Sequence, residues 1–235
     1  MKILVINPNT SASMTEHLRR ALMPIKRPDT ELSVICPEHG PITIECEYDE
    51  VFASAQMLPL IKKANEEGYD AVVIACFSDP GITAAREIST IPVLGIQEAT
   101  LHVACMLGAK FTIITNRIQR IAHKQEQARK LGLESKLASV RALGLSVAEA
   151  DAQPARAKER IIEVSRRAIE EDGAEVIVLG CAGMAGYAED VERELGVVVL
   201  DPSSVALKLA EAFADLKLRH AHVGLYAPPP VKEYK

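Results

Sequence analysis

Two stretches of this chain are variants of one another, and that repetition constrains the fold more than any other feature. "GYDAVVIACFSDPGITAAREISTIPVLGI" (68–96) and "GAEVIVLGCAGMAGYAEDVERELGVVVLD" (173–201) align without a gap. Gly68, Cys76, Gly81 and Val93 then stand against Gly173, Cys181, Gly186 and Val198, each pair 105 positions apart. The opening "KILVIN" pairs with "KFTIIT" in the same way, Lys2 and Lys110 being 108 apart. Repetition at this scale points to two copies of one folding unit.

The unit is an α/β one. Short apolar runs at 2–7, 32–36, 71–76, 92–96, 110–115, 138–143, 175–180 and 196–201 predict strands. Amphipathic patterns near 12–23, 50–67, 82–89, 97–107, 118–131, 146–171, 186–194 and 203–217 predict the helices between them. Near-continuous apolar strands joined by helices mark parallel sheets covered on both faces. The expected architecture is two pseudo-symmetric lobes, each a four-stranded parallel sheet flanked by helices. Lobe boundaries fall at 1–97 and 98–201, with 202–235 a C-terminal helix and tail packing back on the first lobe. Ligands of such sheets bind outside the carboxyl ends of the strands, so the site is expected in the cleft between the lobes.

Both copies place a cysteine where a buried strand emerges. "FSDPG" follows Cys76 and "AGMAG" follows Cys181, sequences suited to tight backbone turns. A buried cysteine is otherwise a small hydrophobe, but two lobes facing across a pseudo-twofold would bring both thiols to one ligand. Ser78 or Asp79 is the expected cap of the next helix with Pro80 in its first turn, and a thiol at a helix N-terminus has its pKa lowered. One thiolate could then take a proton from carbon while the opposite thiol delivers another, inverting a stereocentre by general acid–base catalysis. The carbanion or enolate so formed needs polar partners. Asn7, Asn9, Thr10 and Ser11 stand at the first strand end, Thr115 and Asn116 at the matching place in the second half. Asn9 to Ser11 serve equally as a helix cap.

Composition narrows the classes. The 235 residues are 48% hydrophobic and 25% charged with a net charge of −5, so no basic field invites nucleic acid or an anionic membrane. No apolar run approaches the ~20 residues of a membrane span, and the N-terminus lacks a signal-peptide core of about 7–15 apolar residues. A cytoplasmic setting is therefore expected, with Cys36, Cys46, Cys76, Cys105 and Cys181 reduced. The histidines show no ligand spacing beside the cysteines, so no metal is expected. His220 and His222 read as part of a solvated terminus, and "APPPVKEYK" as a tail that cannot form a helix through Pro228–Pro230.

"INPNTSASMT", "ACFSDPGITAARE", "PVLGIQEA" and "LGCAGMAG" resemble the hydantoin and allantoin racemases, a branch of the aspartate/glutamate racemase superfamily. The resemblance runs from Met1 to about Phe213. It implies a racemase without cofactor or metal, usually a homo-oligomer, acting on a small cyclic ureide or imide: 5-monosubstituted hydantoins, or allantoin. It places the catalytic pair on Cys76 and Cys181, already singled out by the repeat. The amino-acid racemases of the superfamily tend to have Asn-Thr after the first cysteine and Thr after the second; this chain has Phe77-Ser78 and Ala182-Gly183. An apolar ring and few hydroxyls beside the thiols suit a neutral cyclic imide better than a free amino acid. "GPITIECEYDE" (40–50) resembles a further family motif, from which Thr43 and Ile44, and less directly Glu45, are candidate cleft residues or strand-edge packing. Cys46 and Cys105 match no family role, and Cys105 reads as helix core. The rival readings are an amino-acid racemase, a maleate-type isomerase, an arylmalonate-type decarboxylase, a solute-binding protein and a Cys76–Cys181 redox sensor.

Overall fold

The computed structural model describes residues 1–231. These form eight strands: β1 (Lys2–Ile6), β2 (Glu31–Ile35), β3 (Ala71–Ile74), β4 (Val93–Gly95), β5 (Phe111–Thr115), β6 (Leu137–Ala142), β7 (Val176–Leu179) and β8 (Val198–Leu200). They make two parallel four-stranded sheets, β2-β1-β3-β4 and β6-β5-β7-β8, the same topology twice. The duplication extends to single bonds. Ala75 N–H donates to the Ile6 carbonyl at 2.8 Å and Gly180 N–H to the Ile114 carbonyl at 2.7 Å, each one residue before a cysteine.

Helices cover both faces: α1 (Ala12–Leu22), α2 (Glu47–Glu66), α3 (Ile82–Ile88), α4 (Ile96–Leu107), α5 (Ile121–Lys130), α6 (Val147–Ala152), α7 (Pro154–Asp172), α8 (Ala188–Leu195) and α9 (Pro202–Asp215). Strand residues alternate between faces, as a period of two requires. Ile3, Val5 and Val73 join Ile113, Val176 and Val178 in one central core with Leu101 of α4 and Ala206 and Ala210 of α9. Leu4, Ile6, Val72 and Ile74 face outward onto α2 and α3, and Ile177 and Leu179 onto α7 and α8. The central core therefore takes side chains from both sheets, with α9 packed on α4, β3 and α1. No helix among the described residues is long and apolar enough to cross a membrane.

Three expectations need correction. The helix expected over 146–171 is two, because Pro154 opens α7 and its ring drives the preceding Gln153 out of the helical region to φ −132° and ψ 66°. α3 starts only at Ile82 behind Gly81 at φ 67°, so neither Ser78 nor Asp79 caps it. The terminus is not fully solvated at His220, whose half-buried Nε2 accepts from Val93 N–H at 2.8 Å and whose ring meets Tyr226 edge-on at 5.7 Å. The Tyr226 hydroxyl accepts from Arg86 Nη1 at 3.0 Å, docking the chain end on the first lobe. Pro228–Pro230 forms no helix, and the last four residues of the expected tail, 232–235, lie outside the described residues.

Candidate active site

Cys76 and Cys181 follow β3 and β7 by two residues each, and both line one cavity of about 70 Å³ between the lobes. That volume has room for roughly five water-sized groups, the scale of a small ring. Gly180 lets the second cysteine arrive. A Cβ there would lie 2.5 Å from the Ile114 carbonyl oxygen, so β5 and β7 could not stay in register beside a side chain.

The turn after Cys76 is clamped from three directions. Ser78 N–H and Asp79 N–H both donate to the Cys76 carbonyl, at 2.8 and 3.0 Å, and Ser78 Oγ sits 3.4 Å from Cys76 Sγ. From the second lobe, Lys124 of α5 donates its Nζ to the Phe77 carbonyl and to Gln97 Oε1, while Gln127 Nε2 donates to the Ser78 carbonyl. Asp79, held at φ 48°, reaches over to α4 and accepts from Gln97 N–H at 2.9 Å and Glu98 N–H at 2.7 Å. It caps a helix 17 residues downstream of itself. The second lobe closes the equivalent junction from the other side: Asp201, at the end of β8, caps α9 through Ser203 N–H and also accepts from Gly186 N–H.

The cavity brings together Asn9, Ile44, Cys76, Phe77, Ser78, Thr115, Asn116, Ala182 and Gly183. Ser11 and Thr43 stand outside its wall: Ser11 caps α1 by accepting from Met14 N–H at 3.2 Å, and Thr43 lies half-exposed in the loop before α2. Phe77 is 3% exposed, and besides lining the cavity it packs in the central core. Asn7 is a wall residue whose Nδ2 donates to Asn9 Oδ1 and Thr15 Oγ1, fixing the loop. The Asn9 Nδ2, the Asn116 side-chain amide and the Thr115 hydroxyl have no hydrogen-bond partner among the described residues, although each residue lines the cavity.

Sequence reasoning missed Arg117, Arg120, Lys124, Met14 and Val147, all in the cavity wall. Arg117 and Arg120 follow the predicted residue Asn116 closely enough for strand-end position to have found them. Lys124 lies on an amphipathic pattern where a lysine reads as solvent-facing, yet it is 3% exposed. Each arginine is already paired: Arg117 with Glu45 and Arg120 with Glu50, both across the lobe interface. Glu45 further accepts from Val147 N–H. Each guanidinium in the wall therefore already faces a carboxylate of the opposite lobe.

Burial reverses the expected electrostatics of the thiols. Neither cysteine sits at the N-terminus of an α-helix, and enclosure pushes Cys76 up to about 12 and Cys181 upward as well. The Ser78 hydroxyl and the Lys124 ammonium pull Cys76 back, while Gly183 N–H, then Lys124, do so for Cys181. Lys124 is itself lowered to about 8 by burial and by Arg120. Burial also raises Asp79 to about 7, against the pull of its two N–H donors.

One group among the described residues has ligand spacing for a metal, Glu47, Glu50 and His123, with candidate ligand atoms within 4.8 Å of one another. Arg120 borders it, pairing with Glu50 and donating Nη2 to His123 Nδ1 at 2.9 Å, while His123 Nε2 faces Glu47 Oε2 at 3.3 Å and Glu50 Oε2 at 3.7 Å.

The Asp/Glu/Hydantoin racemase family model matches residues 3–210. A hydantoin racemase of Pseudomonas sp. (strain NS671) is 39% identical over 234 residues, covering 100% of this chain and 94% of that protein. A hydantoin racemase of Paenarthrobacter aurescens is 37% identical, with 100% of both chains covered. The solved allantoin racemase from Klebsiella pneumoniae superposes with a TM-score of 0.97 at 38% identity, over 100% of this chain and 96% of that one.

Proposed function

The chain belongs to the Asp/Glu/hydantoin racemase family, and from that premise we propose that it racemises 5-monosubstituted hydantoins by proton transfer at C5 between the thiols of Cys76 and Cys181. The observation that carries the reading is the duplicated cysteine pair lining one cavity whose remaining free groups are uncharged. With one cysteine as thiolate, its sulfur takes the C5 proton and leaves a planar enolate on the ring. The opposite thiol gives its proton to the other face, and the two cysteines exchange roles. The side chains of Asn9, Asn116 and Thr115 supply hydrogen bonds to the ring N–H and C=O groups and to the oxygen that gains charge. Lys124 is the cation that favours either thiolate.

A neutral ring suits this wall better than an amino acid, because Arg117 and Arg120 are both paired with carboxylates. Allantoin is the second reading, supported by the Klebsiella pneumoniae enzyme at an identity close to that of the hydantoin racemases. The reading includes no cofactor and a homo-oligomer, the state that the resemblance implies and sedimentation equilibrium reads.

Incubation in D₂O with enantiopure 5-isopropylhydantoin, allantoin and L-aspartate tests this, with polarimetry following optical activity and NMR following deuterium at the stereocentre. Loss of rotation with deuteration of the hydantoin is the expected result. Racemisation of allantoin alone selects the second reading, and of aspartate alone overturns both. Cys76→Ser and Cys181→Ser should each lower kcat about 10²- to 10⁴-fold, one of them still exchanging the proton of a single enantiomer. Near wild-type racemisation by either variant would refute the two-base mechanism.

A further inference from the structure

We infer that a small side cavity beside Cys181 receives the C5 substituent of the substrate and restricts it to short apolar groups; the inference rests on the hydantoin reading above. The cavity adjoins the main one across a shared wall of Met14, Asn116, Val147, Cys181 and Gly183. Beyond that wall it is closed by Ala150 of α6, Ile161 of α7, Met184 and Tyr187. Its free volume of about 10 Å³ takes one methyl-sized group. Unbranched, flexible Met14 and Met184 allow a little more by a change of rotamer.

Three features make this a pocket for a substituent. Gly183 keeps the shared wall thin: a Cβ there would lie 3.0 Å from Met14 Cε and 3.6 Å from Cys181 Sγ. The rest of the wall is aliphatic at Leu143, Ala150, Ala157 and Ile161, while the solvent-exposed Asp151 adds a carboxylate beside Tyr187, whose phenol is raised by burial and by that carboxylate. A long apolar chain would therefore meet a carboxylate. On the Cys76 side Phe77 packs in the core instead, and Lys124 donates to its carbonyl. The two lobes share a backbone plan but differ in what packs beside each cysteine.

Burying each CH₂ of a substituent in such a pocket is worth about fourfold in kcat/KM, up to the point where it no longer fits. The test is kcat/KM for 5-methyl-, 5-isopropyl- and 5-benzylhydantoin with wild type, Ala150→Leu and Tyr187→Ala. Wild type should favour methyl and isopropyl over benzyl. Ala150→Leu, which fills the pocket, should cost isopropyl about tenfold more than methyl, and Tyr187→Ala, which enlarges it, should raise benzyl relative to methyl by about tenfold. Each result is a ratio within one preparation, so partial misfolding cancels. A wild type that prefers benzyl, or variants that keep the wild-type ratios in an active enzyme, would overturn the pocket alone. A wild type inactive on all three would overturn the hydantoin reading and the pocket's ligand with it.

Discussion

Gly95 is replaceable by backbone criteria, yet the structure makes it intolerant. Its φ of −92° and ψ of 139° suit any residue, and alanine would gain about 0.4–1 kcal/mol by restricting the unfolded chain. A Cβ at this position, however, would lie 2.1 Å from Asp79 Cγ and 2.4 Å from both carboxylate oxygens. The carboxylate has to leave, and α4 loses its acceptor for Gln97 N–H and Glu98 N–H. Loss of a cap costs about 1–2 kcal/mol, and a buried carboxylate short of its donors about 1–3 more. Gly95→Ala should therefore destabilise by about 2–4 kcal/mol net. Asp79→Gly also loses the cap, but it relieves a positive φ worth about 1 kcal/mol, so its net cost should be about 1 kcal/mol or less. In that background nothing obstructs the added methyl, and Gly95→Ala should be neutral or slightly stabilising. Urea unfolding followed by circular dichroism on all four proteins of the cycle measures the coupling, expected at about 2 kcal/mol or more. Equal costs of Gly95→Ala in both backgrounds would refute the argument. Because Asp79 also closes the turn on the Cys76 carbonyl, kcat of the single variant Gly95→Ala should fall as well.

Lys124→Met should move the thiol limb of the pH–rate profile to higher pH, lowering kcat/KM at neutral pH about tenfold for each pK unit; superposable profiles would show that the ammonium does not act on the thiols. Iodoacetamide near neutral pH should modify exposed Cys46 well before Cys76, with Cys76 and Cys181 gaining reactivity as pH rises; peptide mapping that finds Cys76 as fast as Cys46 at neutral pH would contradict the effect of burial. His220 is lowered from 6.5 to about 4, chiefly by burial and then by Arg86. Its depressed folded pKa means the unfolded segment binds the extra proton, so docking is complete above about pH 6.5 and weakens as pH falls toward 4. Hydrogen exchange at the Val93 amide, corrected for intrinsic rate, should lose protection as pH falls through that window, and unchanged protection would show that His220 does not hold the chain end.

Much of this molecule is local and therefore legible. A buried parallel strand needs apolar residues on both faces, so "VVIAC" and "VIVLGC" announce β3 and β7 without any partner in view. The repeat then locates Cys76 and Cys181 at equivalent strand ends, which is a statement about topology that sequence spacing can make. The break before α7 was also legible, in Pro154. Other features depend on which surfaces meet. Lys124 looks like a solvated helix residue until α5 is laid against the turn after β3, where carbonyl oxygens await it. Phe77 reads as a cleft residue, and only the fold shows that it belongs to the central core as well.

The two α/β units, their shared topology and the pair of thiols between them were set along the chain, because periodicity, turn residues and repetition are properties of a sequence read along its length. Four other features came from folding in three dimensions: the thiols are raised rather than lowered, Asp79 caps α4 instead of α3, both arginines are paired with carboxylates of the opposite lobe, and a second small cavity adjoins Cys181. Desolvation, ion pairing and free volume are set by what lies within a few ångströms, and those neighbours come from segments far apart in the chain.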